Sequence, residues 1–174
     1  VWQWVARSEQ LREVGDYVTY DIGPWSILVT RSAKGLKAFH NACLHRGTQL
    51  KPSEDAGFSP KLSCPYHGWT WSLEGALDVL PCAWDFPQVD REHFRLPEVR
   101  LQEGGGFVFI NIDGKAPPLD AYLGPLDTHL VGDWDLSRRA VEFHIRKVLP
   151  TNWKAAQEAF LEAYHVMATH SQNL

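Results

Sequence analysis

The chain has 174 residues, of which 44% are hydrophobic, and its formal net charge is −4. This length allows one ordinary domain and part of a second, and the composition is globular rather than disordered. Positive charges are interspersed with negative ones, so we expect no nucleic-acid partner, because phosphate binding needs clustered Lys and Arg. No apolar run approaches the roughly 20 residues of a bilayer-spanning helix, so we expect no membrane partner.

The first half of the chain alternates strand-like runs with turn residues, which predicts antiparallel hairpins. The glycine triplet at 104–106 lacks the spacing of a phosphate-binding loop and predicts a hairpin turn or a bulge. Strands are predicted at residues 16–21, 25–30, 36–39, 61–63, 70–72 and 107–112.

The composition changes around residues 115–125 to Pro, Gly and Leu without a clear period, which is typical of a linker. We place a domain boundary there, with one domain over residues 1–116 and the start of a second over residues 117–174. A strand-like stretch follows at 140–149, and then Thr151 or Asn152 can cap a helix. Residues 153–169 contain no Gly or Pro and predict a helix of about four turns.

Two short segments each combine one cysteine with one histidine. Two segments of this kind can hold a two-iron cluster in which one iron takes both thiolates and the other takes both imidazoles. They can also form a tetrahedral zinc site, and the spacing alone leaves both possibilities open. Because three cysteines is an odd number and two of them lie in these Cys/His segments, metal ligation in a reducing, cytoplasmic compartment is favoured over a disulfide framework. The segments are Cys43-Leu44-His45 and Cys64-Pro65-Tyr66-His67.

The residues around these ligands resemble the two binding loops of Rieske proteins of the oxygenase branch. The matching stretches are Cys43-Leu44-His45-Arg46-Gly47 and Cys64-Pro65-Tyr66-His67-Gly68-Trp69-Thr70-Trp71. The resemblance implies a [2Fe-2S] cluster bound by Cys43, His45, Cys64 and His67. It also implies a mostly β fold, an antiparallel β-sandwich with two cluster-binding hairpin loops, followed by the beginning of an α+β catalytic domain.

Gly47 and Gly68 are expected to let the backbone turn closely around the cluster, and Pro65 to stiffen its loop. Rieske proteins of respiratory complexes carry an additional cysteine in each loop, which neither loop of this chain has. The match is therefore to the lower-potential oxygenase or ferredoxin type, and Cys82 is left over as an expected buried thiol.

A second group of polar residues lies on the predicted helix at Glu162, His165 and His170. Glu162 and His165 are three residues apart and share a helix face. His170 joins them only if the helix ends or bulges between the two histidines. Imidazoles and a carboxylate on one side of an iron leave positions open for oxygen and substrate. The simpler alternative is that these side chains form an ordinary polar helix face.

The stretch from Asn152 to His170 resembles the signature of the catalytic subunit of Rieske non-haem iron oxygenases. The resemblance implies that His165 and His170 bind a mononuclear Fe(II), and that Glu162 connects this iron to the cluster of a neighbouring subunit. Asn152 matches a position near the iron, whereas Ala159 stands where many relatives have Asn. The third iron ligand of the family is an aspartate far downstream, so most of the catalytic domain is expected outside the 174 residues.

The implied function is the oxygenase component of a ring-hydroxylating or demethylating system. Electrons would come from NAD(P)H through a reductase, with or without a ferredoxin, and enter through solvent-facing His45 and His67. The iron would activate O2 for insertion into a small aromatic or other apolar substrate, in a homotrimer or trimer-based oligomer. The alternatives are a Rieske ferredoxin that only carries electrons and a zinc-stapled interaction module.

Overall fold

Strands dominate the chain from Gln3 to Asn111 in the computed structural model, which describes residues 1–170. The chain divides into two compact units, the first from Val1 to Ala140 and the second beginning at Val141. The strands of the first unit are β1 (Gln3–Arg7), β2 (Asp16–Ile22), β3 (Trp25–Ser32), β4 (Gly35–His40), β5 (Ala56–Phe58), β6 (Leu62–Ser63), β7 (Thr70–Trp71), β8 (Leu77–Val79), β9 (Arg100–Gly104) and β10 (Phe107–Asn111).

These strands form three antiparallel sheets with the orders β4-β3-β2-β5, β6-β7-β8 and β1-β10-β9. The predicted mostly β, antiparallel fold is confirmed. All six strands predicted between residues 16 and 112 are present, each within two residues of its predicted bounds. The hairpin predicted at the glycine triplet connects β9 to β10, with positive φ angles at Gly105 and Gly106.

The central strand β3 separates two hydrophobic cores, because successive side chains of a strand point to opposite faces. Ile27 and Val29 pack into a core that also receives Val108 and Ile110 from β10. Leu28 points the other way, into a core that contains the predicted cluster-binding cysteines. The two predicted cysteine ligands are therefore anchored in a packed hydrophobic core.

Four strands were not predicted, namely β1, β5, β8 and β9. Two of them, β5 and β8, have three residues each, which is too short for alternation to be visible. The strand β9 reads Arg-Leu-Gln-Glu-Gly and lies at the edge of its sheet, where polar side chains are tolerated. Pairing with β10 through the hairpin holds this segment in an extended conformation, although its own polar composition does not indicate a strand.

The segment predicted as a linker contains two short helices, α1 (Leu119–Leu123) and α2 (Pro125–Asp127). A π-helical turn follows at Thr128–Asp133, and 3₁₀ turns lie at Ser8–Gln10, Ala83–Asp85 and Leu136–Arg138. Leu119 and Leu123 are four residues apart, so both fall on one helix face, and both are buried against Trp2 and Phe109. The segment predicted to be a linker between domains therefore contains helical turns that pack against the first unit.

In the second unit, the strand predicted at 140–149 is wrong, because these residues have no regular structure. A strand needs a hydrogen-bonded partner, and none of the described strands pairs with this stretch. The single predicted helix is also wrong, since it is divided into α3 (Trp153–Glu158) and α4 (Val166–Thr169). The predicted cap is confirmed, with the Asn152 side chain accepting from the Lys154 N–H at 2.9 Å. No helix in the described part of the chain could cross a bilayer.

Candidate metal centre

Two loops with the same backbone pattern carry the predicted cluster ligands. We call residues 43–48 loop A and residues 64–69 loop B. In each loop the cysteine N–H donates to the carbonyl five residues later, and the cysteine carbonyl accepts from the glycine N–H four residues later. The two glycines, Gly47 and Gly68, have φ angles of +74° and +72°, which a residue with a Cβ rarely adopts. The hydrogen bonds are Cys43 to Thr48, Gly47 to Cys43 and Cys64 to Trp69, each at 2.8 Å, and Gly68 to Cys64 at 3.1 Å.

The loops bring the four predicted ligand side chains together in two pairs. Cys43 and Cys64 are both buried, with 2% and 4% of their surfaces exposed, and they are not joined in a disulfide. The rings of His45 and His67 lie with their centroids 4.5 Å apart. His67 is exposed as predicted, whereas His45 is half-buried. The site thus places two sulfurs on the inside and two imidazoles towards the surface.

The electrostatics of the site favour a neutral imidazole at His45. Burial lowers the pKa of His45, and the neighbouring His67 and Arg46 lower it further. The Nδ1 atom of His45 is buried and has no hydrogen-bond partner. Because a buried nitrogen is normally paired, a neutral imidazole with a free nitrogen fits a metal ligand.

At the cysteine pair, the surroundings have opposing effects on the pKa of Cys43. Burial raises the pKa of the Cys43 thiol, and the neighbouring Cys64 raises it as well. The backbone N–H of His45 and the indole N–H of Trp71 act against this effect and lower it. A raised pKa means that the buried Cys43 thiol holds its proton in the absence of a cation, and binding of a metal would remove that proton.

The four side chains form two pairs, and the two kinds of metal site considered in the sequence analysis need different groupings of ligands. A structural zinc site needs four ligands around one ion. A mixed two-iron cluster needs only a pair of ligands on each iron, and a sulfur pair beside an imidazole pair supplies them.

Aromatic rings fix the orientation of His45, and the sequence did not predict this packing. Trp69 stacks on His45 with 5.1 Å between ring centroids and 6° between ring planes. Phe86 meets the same imidazole edge-on at 5.7 Å and meets Trp69 at 5.2 Å. Tyr66 covers His67 at 3.7 Å. Phe86 is distant in sequence from both loops, so no local pattern marks it as part of the site.

Asn41 connects the base of loop A to the sheet. It is 1% exposed, and its amide oxygen accepts from the backbone N–H groups of Leu50 and Lys51, each at 3.1 Å. Its amide nitrogen donates to the carbonyl of Lys51 at 2.8 Å and to the hydroxyl of Ser26 at 3.1 Å. Sequence analysis gave Asn41 no role, although it stands two residues before Cys43.

Cys82 is exposed, so the prediction of a buried thiol was wrong. The residue has a φ of +52° and begins the 3₁₀ turn Ala83–Asp85, with its carbonyl accepting from the Asp85 N–H at 2.9 Å. A turn start of this kind lies at the surface, because its backbone leaves the sheet there.

The second predicted group is assembled by a turn rather than by a helix face. The Glu162 carboxylate accepts hydrogen bonds from the backbone N–H groups of Tyr164 and His165 and pairs with Nδ1 of His165. These bonds, the one from the His165 side chain first, lower the pKa of Glu162. His165 and His170 flank α4, and their ring centroids are 5.5 Å apart. Asn152 caps α3.

Residues 1–90 match the family described as Rieske [2Fe-2S] domain, and residues 128–174 match the family described as Ring hydroxylating alpha subunit (catalytic domain). The chlorobenzene dioxygenase subunit alpha of Cupriavidus sp. (strain PS12) is 34% identical over 97% of this chain and 38% of its own length. The carnitine monooxygenase oxygenase subunit of Escherichia coli (strain K12) is 36% identical over 97% of this chain and 46% of its own length.

Among solved structures, naphthalene 1,2-dioxygenase from Rhodococcus sp. bound to indole is similar to this chain with a TM-score of 0.86 and 34% identity. The similarity covers 99% of this chain and 41% of that one. The chain spans about two-fifths of the length of these curated relatives: 38% of the dioxygenase subunit and 46% of the monooxygenase subunit.

Proposed function

The chain belongs to the Rieske [2Fe-2S] domain family, and from this membership we propose that its protein is the oxygenase component of a Rieske-type ring-hydroxylating or demethylating system. The observation that supports this proposal most is the pairing of two buried cysteines with two adjacent imidazoles, one of which has a buried, unpartnered nitrogen. The match of residues 128–174 to an oxygenase catalytic domain supports a second metal site.

We assign Cys43 and Cys64 to one iron of the cluster and His45 and His67 to the other. When bound, the cluster supplies reversible one-electron transfer, at a potential raised by its neutral imidazole ligands. The buried cysteines keep water away from the sulfur side of the site. Exposed His67 gives a protein donor a surface at which to approach, and Trp69 keeps the partner imidazole His45 in one orientation.

We assign His165 and His170 to a mononuclear Fe(II), with Asn152 near it. When bound, this iron supplies O2 activation in the presence of substrate. Glu162 pairs with Nδ1 of His165, which leaves Nε2 of that ring for a metal and fixes its tautomer. The same carboxylate is the proposed connection for electrons that arrive from the cluster of a neighbouring subunit, and this role is the reason for the proposed homotrimer or trimer-based oligomer.

The proposed partners are a ferredoxin, an NAD(P)H reductase, or both, as electron donors. The proposed substrate is a small apolar or aromatic molecule, into which oxygen from O2 would be inserted. The names of the relatives cover an aromatic compound, chlorobenzene, and a non-aromatic one, carnitine, so oxygenation of a ring and oxygenation outside a ring are both compatible with the proposal. Cytoplasmic location stays a prediction.

Metal analysis of the intact protein separates the oxygenase from its alternatives. The proposal expects about three irons and about two acid-labile sulfides per chain, whereas a ferredoxin-type carrier holds about two irons. A colourless protein that contains zinc would contradict both the oxygenase and the carrier.

Variants of the second site test the ligand assignment. His165→Ala is expected to remove about one iron per chain and abolish oxygenation while the visible spectrum of the cluster persists. His144→Ala is the matched control, because His144 is an exposed histidine of the same unit with no proposed role. An unchanged iron content in His165→Ala would refute the assignment.

The bridging role of Glu162 is tested by Glu162→Gln, which keeps the size of the side chain and removes its charge. This variant is expected to keep both metals but to slow reoxidation of the reduced cluster in a single turnover with substrate and O2. A rate equal to that of the unmodified protein would show that the carboxylate is not on the electron path.

A further inference from the structure

Two facing hydroxyl groups lie at the stem of loop B, where the loop leaves the β6–β7 hairpin. Ser63 and Thr70 are paired in register across the two strands, and their hydroxyl oxygens are 3.0 Å apart. The Thr70 hydroxyl donates its one proton to the carbonyl of Gly68 at 3.1 Å, so the Ser63 hydroxyl is the donor to Thr70. The two side chains therefore form a directed chain of hydrogen bonds from exposed Ser63 to the backbone of loop B.

This chain of hydrogen bonds holds the backbone on the N-terminal side of Trp69. The carbonyl of Gly68 belongs to the peptide unit that precedes Trp69, and a peptide unit is planar and rigid. The peptide unit that follows Trp69 is held as well, because the Trp69 carbonyl accepts from the Cys64 N–H at 2.8 Å. With both peptide units held, the two backbone dihedral angles between them are fixed, and so is the direction in which the Trp69 side chain leaves the backbone.

The side chain placed in this way belongs to loop B but contacts a proposed ligand of loop A. The buried Trp69 ring stacks on His45 with 5.1 Å between centroids and 6° between planes. Phe86 and Phe94 meet the indole in T-shaped contacts at 5.2 and 6.1 Å and limit its rotation. Groups that touch a ligand rather than the metal orient that ligand and tune the metal. The Thr70 hydroxyl is therefore connected to His45 through one peptide unit and one ring.

We propose that Thr70, with Ser63 as its hydrogen-bond donor, is a positioning residue for His45. The two hydroxyl groups hold the Gly68–Trp69 peptide, and the Trp69 ring keeps the His45 imidazole in the orientation that the structure shows. This inference rests on the proposed ligand role of His45.

Pulsed EPR of the reduced cluster tests the proposal in the intact, cluster-loaded protein labelled with ¹⁵N-histidine. The two ligand imidazoles are expected to give one nitrogen coupling each. Thr70→Val keeps the shape of the side chain and removes its hydroxyl, and it is expected to change one of the two couplings while the other keeps its value. The variant is also expected to lose iron to a chelator about tenfold faster. Thr70→Ser retains the hydroxyl and is expected to restore both measurements.

Thr30→Val is the matched control for loss of a buried hydroxyl. The Thr30 hydroxyl is also buried, and it donates to the carbonyl of Leu73 at 2.8 Å, outside both loops. Its removal is expected to lower stability but to leave both nitrogen couplings unchanged, because it does not act on the Gly68–Trp69 peptide. Unchanged couplings in Thr70→Val, or the same change in Thr30→Val, would overturn the proposal.

Ser63→Ala decides the question if Thr70→Val assembles no cluster. Ser63 is exposed, so the loss of its hydroxyl leaves the core intact. One of the two couplings is expected to change, because Thr70 keeps its bond to Gly68 but loses the group that orients it. Two unchanged couplings in this variant would then overturn the positioning role. Unmodified protein without iron and labile sulfide would instead overturn the proposed cluster, and this inference with it.

Discussion

The buried side chain of Asn41 holds the base of loop A in place through four hydrogen bonds. Each is of ordinary length, between 2.8 and 3.1 Å. A side chain that satisfies two backbone N–H groups and one carbonyl inside a core cannot be shortened without leaving those groups unpaired, and each unpaired group costs about 1–3 kcal/mol. Asn41 therefore stabilises the loop through the backbone rather than through the metal.

We expect Asn41→Ala to lower the free energy of unfolding of the cluster-loaded protein by about 2–4 kcal/mol and to speed loss of visible absorption in urea. Ser26→Ala is the matched control. It removes only the hydroxyl that accepts from Asn41, and a loss of about 1 kcal/mol or less is expected. Equal effects of the two substitutions would show that the backbone bonds to residues 50 and 51 contribute nothing.

Tyr17 makes stability depend on pH at the alkaline end. Its hydroxyl donates to the Asp55 carboxylate at 2.7 Å. Burial raises the pKa of Tyr17 to about 12, and the hydrogen bond and charge of Asp55 contribute to the rise. Because the folded protein holds this proton more tightly than the unfolded chain, the contribution is complete below about pH 10 and is lost as the pH rises towards 12.

Urea unfolding at about pH 9 and about pH 11 measures this contribution. The unmodified protein is expected to lose about 1 kcal/mol more than Tyr17→Phe over that interval, since the variant has no hydroxyl to titrate. Parallel losses in the two proteins would mean that the proton of Tyr17 is not held more tightly in the folded state.

For single residues, the sequence predicted the side chains proposed as metal ligands and missed the side chains that position them. Cysteines and histidines in two short segments are visible because both the residue types and their spacing are local. Phe86 and Trp69 acquire their roles through packing against other parts of the chain, which no local pattern records. The environment of Cys82 was predicted wrongly for the same reason, because exposure is decided by the turn that it begins.

Among elements, hairpins were predictable and helices were not. The strands β2, β3 and β4 alternate visibly with turn residues, so their order and approximate bounds follow from composition. The helix predicted over 153–169 fails because favourable propensity is a weak guide over short stretches. In the structure the Glu162 carboxylate takes backbone N–H groups that a continuous helix would have used, and the chain turns there.

A buried arginine fixes the segment after the π-helical turn. Arg7 is 6% exposed, and its guanidinium donates to the carbonyls of Leu136 at 2.5 Å and Arg139 at 2.8 Å. The same group lies 4.3 Å from the centre of the Phe107 ring. Hydrogen bonds from a charged donor are worth about 1.5–3 kcal/mol each, so this one side chain stabilises the attachment of the segment to β1 and β10.

We expect Arg7→Met to increase the rate of tryptic cleavage after Arg138 and Arg139 by about tenfold or more, because the segment opens more often. Arg12→Met is the matched control, since Arg12 is an exposed arginine whose contact with Glu9 is 3.9 Å long, and a contact of this kind is worth little. Mass spectrometry of the early fragments gives both rates. An unchanged rate in Arg7→Met would show that the carbonyl contacts do not hold the segment.

For the whole molecule, the contacts place the end of the first compact unit at Ala140, whereas the composition change placed a domain boundary between residues 116 and 117. The change in composition to Pro, Gly and Leu did not indicate that two of these leucines, Leu119 and Leu123, are buried. The residues between the two positions complete the third core, in which Leu119 and Leu123 cover Trp2 and Phe109. The indole N–H of Trp2 also donates to the carbonyl of Pro117 at 2.9 Å.

A polypeptide of residues 1–140 is therefore expected to fold, bind the cluster and unfold cooperatively, whereas one of residues 1–116 is expected to be less stable by about 3–6 kcal/mol. The difference follows from two buried leucines, at about 1.5–3 kcal/mol for each. Urea unfolding followed by tryptophan fluorescence and by cluster absorption measures it.

Single substitutions in the 1–140 polypeptide show whether burial is the cause. Leu119→Ala creates a cavity next to Trp2 and is expected to account for about 2–4 kcal/mol of the difference. Leu126→Ala changes an exposed leucine of α2, 58% accessible, and is expected to have an effect within about 0.5 kcal/mol of zero. If residues 1–116 were as stable as residues 1–140, the helices after residue 116 would be an addition to a complete domain, and the boundary predicted from composition would be the physical one.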